Sequence, residues 1–96
     1  MTGYKKIKAG RKFIDAFRIK LAAKSLILLK CSKGYIMCGY LDLAVAEKFN
    51  DAAVRITGVS TIDEALKTTV SSCTSQARKL GIREGQPIKE VIKILV

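Results

Sequence analysis

Gly34-Tyr35-Ile36-Met37-Cys38-Gly39-Tyr40-Leu41-Asp42 is an apolar strand pattern that ends in a Cys-Gly pair, with a helix-capping Asp following within four residues. A strand that turns through glycine into a helix start is the first half of a β-α-β crossover. Ala53 to Thr57 reads as the second strand, after a helix that Asp42 caps and that runs to about Asn50. The connection from 40 to 52 is about the minimum length for such a crossover, so the strands at 35 to 39 and 53 to 57 are expected to be parallel neighbours.

Working outward toward the N-terminus, Ser25 to Cys31 pairs with Tyr35 to Gly39 as a hairpin about Lys33-Gly34. Both faces of Leu26-Ile27-Leu28-Leu29 are apolar, which marks central strands. Residues 4 to 8 and 13 to 21 form an earlier hairpin around Ala9-Gly10-Arg11, with Phe17, Ile19 and Leu21 expected on the core face and Arg18 and Lys20 opposite. Asp15 then falls on the same face as Phe13 and Phe17. That placement implies a bulge near Ile14-Asp15 or a partner for the carboxylate, such as a neighbouring Lys.

Toward the C-terminus, Thr61-Ile62-Asp63-Glu64 has the form of a capping box and starts a helix with Ile62, Ala65 and Leu66 inward. Thr68-Thr69-Val70 is β-branched and Ser71-Ser72 can cap, so a break is expected before a further helix ending at Gly81, with Val70, Cys73, Ala77 and Leu80 as its stripe. Pro87 suits the first turn of a last helix whose stripe is Ile88, Val91, Ile92 and Leu95. The expected fold is a single α+β domain over residues 1 to 96. It has a mostly antiparallel sheet of about five strands, made of two hairpins and one βαβ-like crossover, packed with three or four helices.

A chain of 96 residues with 49% hydrophobic side chains and one proline is large and apolar enough to bury one core. The longest aliphatic run, Leu26 to Leu29, is far too short to cross a bilayer, so no membrane association is expected. Cys31, Cys38 and Cys73 are an odd number of thiols, and with no secretion signal legible they read as reduced cysteines of a cytoplasmic protein. The oligomeric state leaves no mark.

The net charge of +10 is uneven: residues 1 to 33 carry ten Lys and Arg against one acid, whereas residues 34 to 96 carry eight against seven. A basic surface of that kind attracts phosphate backbones or anionic metabolites, or it only protects outer strands from edge-to-edge pairing. Tyr4, Phe13 and Phe17 interleave with Lys5, Lys6, Lys12 and Arg18, which makes a nucleic-acid-binding hairpin one reading of this third of the chain. No RNP, KH or helix-turn-helix signature accompanies it.

Parallel strands place their C-terminal ends on one edge, and both ends here lead through glycine into a helix start. Cys38, Gly39 and Asp42 belong to the first turn, and Gly58, Ser60, Thr61 and Asp63 to the second. Arg55 can approach them if its side chain faces that end. Free backbone N–H groups at such a crevice suit a small anionic ligand, or the site is an interface for a protein partner. Alternatively, the glycines only turn corners and Asp42 and Thr61 only cap helices.

Cys38 is the one nucleophile the pattern offers, since a thiol near a helix start is activated there. Its rival role is a packed core cysteine. The chain has no His, so a base would have to be Asp42, a Lys or a Tyr, and no triad can be assembled. The enzyme reading therefore stands behind the binding readings, and no catalytic residue is assigned. Without His or a C-x-x-C pair no metal site is expected, and no cofactor is implied.

The stretches Gly34 to Gly39 with Leu41-Asp42, Arg55, Gly58-Val59, Thr61-Ile62-Asp63, and Leu80-Gly81-Ile82 with Gly85 resemble the YunC-like family, a domain-of-unknown-function group of short bacterial and archaeal proteins. The resemblance spans about residues 34 to 88 and implies a small α+β fold and an intracellular protein, with no activity attached. The family's distinctive residues lie at the same two strand-to-helix turns. Where its bacterial members have a proline between the second and third helices, this chain has Lys67-Thr68-Thr69.

Overall fold

A computed structural model describes residues 3–96. Its sheet has six strands, each beside its neighbour in sequence: β1 (Gly3–Ala9), β2 (Lys12–Lys20), β3 (Ser25–Lys30), β4 (Tyr35–Met37), β5 (Ala53–Arg55) and β6 (Ser72–Cys73). All adjacent pairs are antiparallel except β4 and β5, which are parallel and joined through helix α1 (Leu43–Lys48). Helix α2 (Ile62–Lys67) links β5 to β6, and α3 (Ser75–Lys79) and α4 (Ile88–Leu95) follow.

The register builds the core row by row, because directly paired residues point to the same side of a sheet. Ala16, Leu29, Ile36, Val54 and Cys73 form one such row across five strands. All five are buried, and above them lie Ala65 of α2 and Ile88, Val91 and Leu95 of α4. Each aliphatic side chain so buried contributes about 1.5–3 kcal/mol of transfer free energy. Helices α1 and α3 pack against β5 and close that end.

In β2 the buried face is the reverse of the expected one. Ile14 and Ala16 face the helices, while Phe13 and Ile19 are exposed by 58% and 41% and Leu21, past the strand end, is exposed as well. An alternating strand with apolar residues on both faces offers two cores, and the layer above decides between them. Helix α2 lies over β2, where the small Ala16 admits a close approach. Asp15 accordingly sits on the open face and needs no bulge: its ladder is continuous with Lys6 on one side and Lys30 on the other. Its partner is the Tyr4 hydroxyl, which donates to Oδ1 at 2.7 Å, and not a lysine.

The sixth strand takes residues expected in a helix. Ser72–Cys73 pairs with Val54 and Arg55, so Cys73 is buried as a strand residue and Leu80 is exposed. The helix starts later, capped by Thr74 instead of Ser71 or Ser72. Thr74 is fully buried; its Oγ1 accepts from the N–H groups of Ala53 (3.0 Å) and Ala77 (3.3 Å) and donates to the Asp51 carbonyl at 2.6 Å. Pro87 stands at the N-cap of α4, and the four expected stripe residues of that helix are all buried. Among the described residues no helix is long and apolar enough to cross a membrane.

Candidate functional site

The first turn is closed by the Leu41 N–H, which donates to the Cys38 carbonyl at 3.0 Å across Gly39-Tyr40. Asp42 then caps α1, its Oδ1 accepting from Ala44 (3.0 Å) and Val45 (3.3 Å). The second turn passes through Gly58 at φ +73°, a left-handed conformation that glycine adopts without penalty. A reciprocal capping box follows: Glu64 Oε1 accepts from the N–H groups of Ser60 (2.7 Å) and Thr61 (3.2 Å), and Thr61 Oγ1 accepts from the Glu64 N–H at 3.1 Å.

Because β4 and β5 are parallel, the two turns open on one edge of the sheet. Between them lies a cavity of about 540 Å³. Cys38, Gly39 and Tyr40 line it from the first turn, and Thr57, Gly58, Val59 and Ser60 from the second. Lys24 and Ser25 complete the wall from the start of β3, which runs antiparallel to β4 and so begins where β4 ends.

Arg55 approaches the Gly39 turn without lining the cavity. It is paired with Met37, and its Nη2 lies 3.9 Å from the point where a β-carbon on Gly39 would stand. Its Nε is buried with no hydrogen-bond partner among the described residues. The one salt bridge among those residues, Arg78 to Glu84 at 2.6 Å, lies elsewhere. The backbone N–H groups of Gly39, Tyr40, Gly58 and Val59 also find no protein acceptor among the described residues.

Four of the residues singled out from the sequence, Asp42, Arg55, Thr61 and Asp63, do not line this cavity. Asp42 and Thr61 are engaged in the helix caps. Thr61 and Asp63 line a second, smaller cavity of about 260 Å³ with Gly3, Tyr4, Lys5 and Arg18. Of the lining residues that the sequence reasoning missed, Lys24 is the charged one. Hairpin pairing carries the signal, since the residue preceding β3 must stand across from the residues following β4.

Cys38 is 4% exposed and bonded into β3: its Sγ accepts the Ile27 N–H at 3.3 Å, and its S–H donates to the Ser25 carbonyl at 3.9 Å. Cys31 and Cys73 are likewise free and buried. Burial pushes the Cys31 thiol up to about 11. Among the described residues no three His, Cys, Asp or Glu side chains converge as metal ligands would.

The four basic residues singled out in the N-terminal hairpin, Lys5, Lys6, Lys12 and Arg18, do not form one patch. Lys5, Lys12 and Arg18 share the side of Ile14 and Ala16, whereas Lys6 stands beside Asp15 on the open face. Arg18 Nε donates to the Ser25 hydroxyl at 3.3 Å.

The family model described as "Domain of unknown function (DUF1805)" matches residues 37–95, which contain both turns, Arg55, and everything from β5 to α4. The chain belongs to the DUF1805 family. It is similar to the "Uncharacterized protein YunC" of Bacillus subtilis (strain 168), with 36% identity over an alignment of 81 residues and 80% of each chain covered. It is also similar to a crystal structure of a protein of unknown function from Thermoplasma acidophilum. That likeness has a TM-score of 0.96 and 38% identity, and it covers 100% of this chain and 94% of the other. These DUF1805 and YunC likenesses fix the family and the fold and carry no activity with them.

Proposed function

We propose that the cavity between the Gly39 and Gly58 turns binds a small anionic ligand, a phosphate- or carboxylate-bearing metabolite. The observation that carries this reading is that Lys24 and the turns holding the unpaired N–H groups of Gly39, Tyr40, Gly58 and Val59 line one cavity, while the Arg55 guanidinium, its buried Nε without an acceptor, stands close to Gly39 outside the lining. An unsatisfied buried donor costs about 1–3 kcal/mol, more when the group is charged, and native structures rarely keep one without a use.

The Arg55 charge near Gly39 favours an anion in the cavity, and the lining suits one. Lys24 supplies a second positive charge, and the unpaired N–H groups of Gly39, Tyr40, Gly58 and Val59 supply oriented donors. The volume of about 540 Å³ falls in the range of small-molecule sites. Cys38 packs the wall in this reading and takes no part in chemistry.

The test is an amide chemical-shift titration with inorganic phosphate and pyrophosphate. Saturable shifts confined to Gly39, Tyr40, Gly58 and Val59, weakened in Lys24→Ala and in Arg55→Met while the fold is retained, are expected. Shifts that are absent, or that persist unchanged in both variants, would falsify the reading.

A further inference from the structure

The face of β1, β2 and β3 away from the helices carries three rows fixed by register. Tyr4, Phe17, Leu28 and Met37 form one; Lys6, Asp15 and Lys30 the next; Lys8 and Phe13 the third. Aromatic and cationic side chains therefore alternate across one surface. Tyr4 is 53% exposed and Phe13 58%. The rings of Tyr4 and Phe17 lie 5.0 Å apart, tilted by 43°. Tyr4 and Lys8 are four residues apart on β1, which separates the two aromatic stations by about 13 Å, with Lys6 between them.

We propose that this open sheet face binds single-stranded nucleic acid, its bases stacking on Tyr4, Phe17 and Phe13 and its phosphates meeting Lys6, Lys8 and Lys30. Base stacking on exposed rings is tolerant of sequence, and a lysine placed between ring stations meets the backbone that joins two stacked bases. The Tyr4 ring is already oriented, because its hydroxyl is held by Asp15 at 2.7 Å. Charge selects this occupant over a second copy of the chain. Two copies placed face to face would oppose three lysines to three lysines with one Asp15 on each side, whereas a polyanion neutralises all three. The face is separate from the Gly39/Gly58 cavity, so either reading can fail without the other.

The experiment measures fluorescence anisotropy of labelled twelve-nucleotide oligo(U) and oligo(dT) between 50 and 200 mM salt, with sedimentation equilibrium run alongside. Three phosphate contacts give a log–log salt slope near −2, and Lys8→Ala should lower it by about 0.7. Phe13→Ala should weaken binding roughly five- to 150-fold. Lys12→Ala, on the other side of the hairpin, should change it less than twofold. Asp15→Asn removes the one negative charge of the face and should tighten binding. A preference for oligo(U) or for oligo(dT) says which polymer is the natural ligand and supports the proposal either way. It is overturned if neither oligonucleotide binds at 50 mM salt, or if Phe13→Ala and Lys8→Ala bind like the parent. It is equally overturned if the chain is a dimer that Phe13→Glu dissociates, for then a second copy covers the face.

Discussion

A β-carbon on Gly34 would overlap the carbonyl oxygen of Ala52 and stand 2.9 Å from the Ala52 β-carbon. The chain has to pass this close because the next residue, Tyr35, donates its N–H to that same carbonyl at 3.1 Å and begins the parallel pairing of β4 with β5. Gly34→Ala should push the two strands apart at the start of their ladder and cost about 2–4 kcal/mol in urea unfolding. Gly39→Ala is the contrast. Its added methyl meets only Arg55 Nη2 at 3.9 Å, and a loss under about 1 kcal/mol is expected. Equal losses at the two positions would show that the strand entry is not a tight passage.

Thr74 ties three segments together with one oxygen, serving β5, the loop before it and α3 at once. Thr74→Val keeps the shape and leaves the Ala53 and Ala77 donors and the Asp51 carbonyl without that partner, so a loss of about 2–4 kcal/mol is expected. Thr74→Ser retains the hydroxyl and should recover more than half of it. A Val variant as stable as the parent would mean that these groups find other partners.

Two acids are held protonated by the fold well above their ordinary range. Burial pushes Cys31 to about 11, and burial together with the hydrogen bond to Asp51 pushes the Tyr35 hydroxyl to about 12. In both cases the folded value lies above the unfolded one, so the native state keeps a proton that the unfolded chain has released. The stabilisation is complete below about pH 9 and is lost as the pH rises from there toward 12. Unfolding free energy measured at pH 8, 9.5 and 11 should fall along that series, and Tyr35→Phe should flatten the upper part of the decline. A level profile would mean that neither group is perturbed.

All three thiols are buried, at 8% exposure or less. In the native protein at pH 7, iodoacetamide should label fewer than one of the three within the time that labels all three in urea. Rapid native labelling at Cys38 would show a thiol open to the cavity and revive a chemical role for it.

The parts of the fold visible in the sequence are those that a few neighbouring residues decide. The Thr61/Glu64 box needs only four positions, and the parallel pairing of β4 with β5 follows from the length of the chain between them. The meeting of the Gly39 and Gly58 turns follows in turn from that pairing. The buried face of β2 was not visible, since Phe13, Phe17 and Ile19 look as apolar as Ile14 and Ala16 until a distant helix covers one side. The two residues of β6 carry no period, and Cys73 falls in a helical stripe by coincidence with Val70 and Ala77. Lys24 joins the cavity wall through pairing across a hairpin, and the unsatisfied Arg55 Nε is a property of packing that no local pattern encodes.

Since every strand lies beside its neighbour in sequence, no pairing in the sheet reaches further along the chain than Val54 to Cys73. Closing short loops costs little entropy, and topologies made of near-neighbour pairings fold quickly. The β1–β2 hairpin can close first and each later strand can add to an existing edge. The sheet can thus assemble in the order in which the chain leaves the ribosome, with its last strand and α4 sealing a surface already laid down.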